Sequence, residues 1–110
     1  MEDLREDEYV IFKRIHANWL RGLEGVGGRL FLTNQRLIFV PHSLNFQTDG
    51  VQIELWGMSK IEKHQTLGLI PNGIKITLES GHIFKFIVWN RSKIIREIIY
   101  AKRTDDIIPG

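Results

Sequence analysis

Apolar and polar residues alternate with a period of two over much of the chain. Val51, Ile53 and Leu55 stand against Gln52 and Glu54, and Ile74, Ile76 and Leu78 against Lys75 and Thr77. Such alternation predicts strands with one buried face. From His82 to Trp89, Phe84, Phe86 and Val88 share one face while Ile83, Lys85, Ile87 and Trp89 take the other, predicting a strand with an apolar outer side. Tyr9 to Trp19 is rich in β-branched and aromatic residues, and Leu30–Thr33 and Leu37–Val40 flank Asn34-Gln35. That pair predicts a hairpin turn, because Asn tolerates positive φ, and Pro41 ends the second arm because it has no N–H for the ladder. Further turns are expected at Pro71-Asn72-Gly73 and Ser80-Gly81. Near the end the period changes: Ile94, Ile95, Ile98 and Ile99 fall on one helical face, with Asn90 or Ser92 placed to cap the N-terminus. The pattern gives about seven strands and then one amphipathic helix. A lone helix with an apolar stripe must bury it, and the open end of a curled antiparallel sheet offers the place.

The chain has 110 residues and is 43% hydrophobic, enough for one core and one domain. Residues 1–8 read as a flexible acidic lead-in, 9–103 as the domain and 104–110 as a short tail. The sequence holds no apolar run long enough to span a bilayer, and its acidic start is unlike a secretory leader, so a cytoplasmic protein, peripheral at a membrane if membrane-associated, is expected. No cysteine is present, which excludes disulfides, thiolate catalysis and sulfur-ligated zinc. The formal charge of +2 hides an asymmetry: residues 9–104 carry +8, and the acids crowd the two ends. A basic body attracts anionic partners.

Gly28-Arg29-Leu30-Phe31-Leu32-Thr33-Asn34-Gln35-Arg36-Leu37-Ile38-Phe39 resembles the core signature of the GRAM domain, a relative of the pleckstrin-homology (PH) fold. Residues 21–27 and 67–73 and the closing strand and helix are similar in order and spacing to bacterial members of that family. The resemblance implies a mainly β, PH-like, partly open barrel of about seven antiparallel strands in two crossed sheets, capped by the C-terminal amphipathic helix. It implies a non-catalytic binding module for anionic lipid, phosphoinositides or a membrane-associated protein, with protein–protein interaction or self-assembly as the alternative. It implies no cofactor.

Within that frame, the segment Arg21–Arg29 has four glycines but lacks the Gly-Lys-Ser/Thr and following helix of a phosphate-binding loop. Arg21 and Arg29 are the candidate headgroup ligands, although Glu24 lies between them and the dense Lys/Arg run of lipid-binding relatives is missing. Leu23 and Val26 in that segment, and Leu69 and Ile70 in the stretch 67–73, are apolar where a solvated loop would be polar; they either pack inward or form a docking surface. Ile87 and Trp89 are either covered by the helix or part of a self-association patch. Arg36 is expected to serve the hairpin. His16, His42, His64 and His82 are scattered with no metal-ligand spacing, and no nucleophile elbow is present, so neither a metal site nor an enzyme is expected. The basic residues of the helix read as a solvated face. Nucleic acid is disfavoured for want of a recognition helix or an RNA-binding aromatic strand motif.

Overall fold

In the computed structural model, residues 3–42, 50–66 and 70–107 are described. Seven strands are followed by one helix: β1 (Val10–Arg21), β2 (Glu24–Thr33), β3 (Arg36–Pro41), β4 (Val51–Glu54), a 3₁₀ turn (Leu55–Gly57), β5 (Met58–Thr66), β6 (Ile70–Leu78), β7 (Ile83–Val88) and α1 (Arg91–Ile107). The strands form one antiparallel sheet of order β4-β3-β2-β1-β7-β6-β5. The ladder is continuous, so the two sheets implied by the resemblance are halves of a single sheet that curls. Phe39 on β3 and Phe86 on β7 show the curl directly. Three strand spacings, about 14 Å in a flat sheet, separate their strands, yet their ring centroids are 5.8 Å apart.

Period-two alternation decides what the curled sheet encloses. Leu30, Leu32, Leu37, Phe39, Ile53, Ile74, Ile76, Phe86 and Val88 are all buried in one core. The helix closes that core with Ile94, Ile98 and Ala101, and packs against β5, β6 and the 3₁₀ turn. It runs to Ile107, beyond the boundary expected at residue 103. Asn90, just ahead of it, has φ +56°, and its carbonyl accepts from the N–H groups of Lys93 and Ile94. Gly28 has a packing reason: a Cβ there would lie 2.5 Å from Cζ of Phe39 and collide with the backbone oxygen of Val40.

Two expected loops are strand instead. Only Gly22 and Leu23 turn between β1 and β2, and the remainder of 21–29 pairs in the ladder. Pro71, Asn72 and Gly73 belong to β6 and do not make a turn. Pro71 is tolerated because the β6–β7 ladder begins at Gly73, leaving Pro71 beside β5 alone. The Ser80-Gly81 turn is where it was expected, with Gly81 at φ +94°.

Residues 3–8 are tied down, contrary to a flexible lead-in. The Glu8 side chain is fully buried and accepts from Nε of Arg36 at 2.7 Å, from Nη2 of Arg36 at 3.0 Å and from the Thr33 hydroxyl at 2.7 Å. Arg36 also donates to Gln52 and to the Asp3 carbonyl, and Arg5 pairs with Glu54. Asn34 clasps the same segment through its backbone: its Oδ1 accepts from Tyr9 N at 2.8 Å and its Nδ2 donates to the Asp7 carbonyl at 3.0 Å. The Thr-Asn-Gln-Arg turn is therefore a clamp on the N-terminal segment, and Arg36 is structural, as expected, through a partner distant in sequence. Hydrogen bonds from Arg36, helped by Arg5 N–H and Thr33, hold the Glu8 carboxyl at a pKa of about 2 against the opposing effect of burial.

Candidate functional site

The β1–β2 hairpin ends in the shortest kind of connection. Arg21 pairs with Glu24, and Gly22, at φ +62°, supplies the positive φ that a two-residue turn needs. This puts Leu23 at the apex, 95% exposed. Behind it, on the inner face, Trp19 stands edge-on to Phe39 at 5.9 Å, and the Arg21 guanidinium lies 5.3 Å over the Trp19 ring. Val26, opposite Trp19, packs against the core. The two apolar residues of this segment thus divide: Val26 points inward and Leu23 outward.

On the outer face of the same end, Leu20 pairs with Lys85 of β7, and Lys85 pairs with Lys75 of β6. Two lysines directly opposite across a ladder repel each other. Burial, and then the nearby Lys85 and Lys75, push the pKa of His64 below its ordinary value. Glu62 faces Lys75 from β5 and offsets part of this charge. The apex therefore has cations behind it on both faces.

The structure does not bring all the expected residues together. Alternation and register put Arg21 on the inner face with Trp19 and Arg29 on the outer face opposite His16, so the two arginines do not share one concavity. Ile70 lies in the backbone of β6, six residues from Ile76; Ile76 faces Phe84, which is level with Arg21. That places Ile70 about 20 Å along the sheet from the hairpin end. Leu69 lies outside the described residues. Lys75 and Lys85 were missed by sequence reasoning.

Trp89 is not covered by the helix. It is 74% exposed at the start of α1, on the edge of a groove of about 270 Å³ lined by Ile11, Phe12, Ile15, Lys93 and Ile94. Ile87 is half-buried, between Asn18 and Gly73 in the ladder. On the outer face of β1–β3, His16 and His42 stack with centroids 5.3 Å apart. Among the described residues, no group of three or more His, Cys, Asp or Glu side chains converges as metal ligands, and no helix is long and apolar enough to cross a membrane.

Comparison with known proteins decides the lineage. The GRAM domain family model matches residues 3–102. The chain belongs to the GRAM domain family. The match begins inside the clamped acidic segment, consistent with that segment being part of the fold. GRAM and PH-like domains are typically non-catalytic modules that bind lipids or proteins. Three solved structures share the fold of this GRAM domain. A C-terminal domain of an unknown protein from Leishmania infantum has TM-score 0.76 and 16% identity, covering 88% of this chain and 86% of that one. The Vps36 N-terminal PH domain has TM-score 0.72 and 18% identity, covering 93% and 84%. The N-terminal PH domain of human ARAP2 has TM-score 0.66 and 12% identity, covering 86% and 82%. These matches carry the fold and family and do not distinguish a bacterial branch. No curated protein matches the sequence.

Proposed function

We propose that this GRAM domain docks peripherally on an anionic membrane surface, on its cytoplasmic side, through the β1–β2 hairpin. One observation carries the reading: a leucine 95% exposed at a hairpin apex with cationic side chains behind it. Leu20 and Lys85 lie about 10 Å behind the apex. Insertion of Leu23 to the headgroup–acyl boundary would hold Arg21, Lys85 and Lys75 at headgroup depth. Transfer of Leu23 supplies about 1.5 to 3 kcal/mol, and each cation near the surface about 1 kcal/mol. Together these amount to about 5 kcal/mol before the entropy of association, so a single domain binds weakly and a second anchor or oligomerisation sets the working affinity. Within this reading the headgroup is recognised by charge, and phosphoinositides are bound for their charge density; Arg29, six residues along the hairpin from Leu23 and so about 20 Å from the apex, takes no part. The exposed Trp89 and its groove support a second reading, docking of a protein partner at the start of α1.

Flotation with phosphatidylserine or phosphoinositide vesicles at low salt tests the first reading. Binding is expected there, fading at high salt, with little on neutral phosphatidylcholine vesicles. Leu23→Ser is expected to weaken binding at least tenfold. Equal binding by Leu23→Ser, or none by the parent domain on any anionic vesicle, sinks the proposal; a Trp89→Ala variant that abolishes pull-down of a partner without affecting vesicles would favour the second reading.

A further inference from the structure

The outer face of β1–β3 holds an arrangement that membrane docking does not use. His16 lies on β1 and His42 just past the end of β3, and the strand between them, β2, presents Gly27. The His42 N–H donates to the Gly27 carbonyl at 3.0 Å, fixing His42 level with Gly27, and Asn18 is the partner of Gly27 on β1. With no side chain at Gly27 on the middle strand, the two imidazoles reach across it beside Arg29 and stack, at an interplanar angle of 22°. A Cβ on Gly27 would meet Cδ2 of His42 at 3.3 Å and Oδ1 of Asn18 at 3.5 Å, so the gap is bordered by imidazole on one side and an amide oxygen on the other.

Nδ1 of His16 and Nε2 of His42 face each other at 3.4 Å. Two imidazole nitrogens bound about 2.0–2.1 Å from one tetrahedral metal stand about 3.3–3.4 Å apart. We infer that His16 and His42 form a two-imidazole site for a borderline divalent cation, Zn²⁺ in particular, on the outer face of β1–β3. In the metal-free protein a single N–H···N bond joins the same two atoms; on binding the cation, the donor ring carries that proton on its other nitrogen instead, so both facing nitrogens present lone pairs. Both rings are exposed, so a small rotation brings the two lone pairs onto one point without moving the core. Imidazole favours zinc, copper and nickel over magnesium and calcium, which prefer oxygen ligands. The remaining positions on the metal face solvent beside Asn18 and Arg29. Arg29 is opposite His16 in register and exposed, which favours an anionic oxygen ligand, a carboxylate or phosphate, at an open position.

Titration of the folded domain with ZnCl₂ by calorimetry, with the imidazole nitrogens followed by NMR, tests the site. One Zn²⁺ per chain is expected, shifting the ring signals of His16 and His42, with MgCl₂ producing no such shift. His16→Gln and His42→Gln should each weaken Zn²⁺ binding at least tenfold, His82→Gln should leave it unchanged, and Gly27→Val, which fills the gap, should weaken it as well. Absence of binding at millimolar Zn²⁺, or an affinity that survives both His16→Gln and His42→Gln, overturns the inference.

Discussion

Glu8→Gln is the sharpest test of how the N-terminal segment contributes to the domain. Gln has nearly the same shape, but both Glu8 oxygens accept hydrogen bonds, so the perturbation removes the charge and also turns an NH2 group towards donors on Arg36, Arg5 or Thr33. The Glu8 carboxyl falls from 4.5 in the unfolded chain to about 2 in the folded one. Each unit is worth about 1.4 kcal/mol, so ionisation of Glu8 contributes about 3 kcal/mol at neutral pH. Both partners are almost fully buried, with side-chain exposures of 8% for Arg36 and 0% for Glu8, so solvent screening discounts little of this. Losing one partner of a buried pair typically costs about 3–5 kcal/mol, in agreement. The sign is fixed by the depressed pKa. On acidification the unfolded chain takes up its proton first, near pH 4.5, so the contribution is complete above that value and is lost as pH falls towards 2. Urea unfolding monitored by tryptophan fluorescence should show Glu8→Gln weaker than the parent by about 3 kcal/mol at pH 7. A drop in Tm of about 10 °C or more should accompany it. The two proteins should converge near pH 2. A difference under about 1 kcal/mol at pH 7, or a parent domain that loses none of its advantage between pH 5 and pH 2, would refute the reasoning.

Two further substitutions probe the packing and the basic end. Gly28→Ala should destabilise by about 1–3 kcal/mol in thermal unfolding, because its Cβ meets the Val40 backbone and the Phe39 ring; no loss would show that β2 does not approach β3 so closely. Lys85→Glu should stabilise by up to about 1 kcal/mol, by turning a like-charged pair with Lys75 into an opposite one, and should raise the pKa of His64 in an NMR titration. The same change should weaken binding to anionic vesicles. Tighter vesicle binding by this variant would contradict the docking surface.

The sequence made the fold legible because one physical rule, burial of every second side chain, operates in nearly every strand. Phe84, Phe86 and Val88 alternate in the sequence, and Phe86 and Val88 are buried in the core. The stripe of Ile94 and Ile98 needed a surface, and the end of the sheet provides it. The failures came where a local cue competed with the ladder. Glycines at 25, 27 and 28 and Pro71-Asn72-Gly73 look like loop, yet all of them lie in strands, with ladder partners for the four glycines. The acidic lead-in looked solvated because charge density argues for water, and only the buried Arg36 on a distant strand makes one of those acids a structural necessity.

The candidate site was less legible because its parts meet only through register. Arg21 and Leu23 are neighbours in the chain and could be read directly, but Arg29 was grouped with them when eight residues of hairpin carry it to the opposite face. Lys75 and Lys85 carried a usable signal: both fall on the polar side of alternating strands, and folding the chain about Ser80-Gly81 makes them partners. Folding Leu20 onto Lys85 requires knowing that β1 pairs with β7, a long-range choice that no local residue announces. His16 and His42 needed three strands in order and a glycine in the middle one. Hairpin-local chemistry can therefore be read from sequence by arithmetic on the turn, whereas chemistry shared across non-consecutive strands cannot. In this domain both the approach of Lys85 and Lys75 to the apex and the imidazole pair are of the second kind.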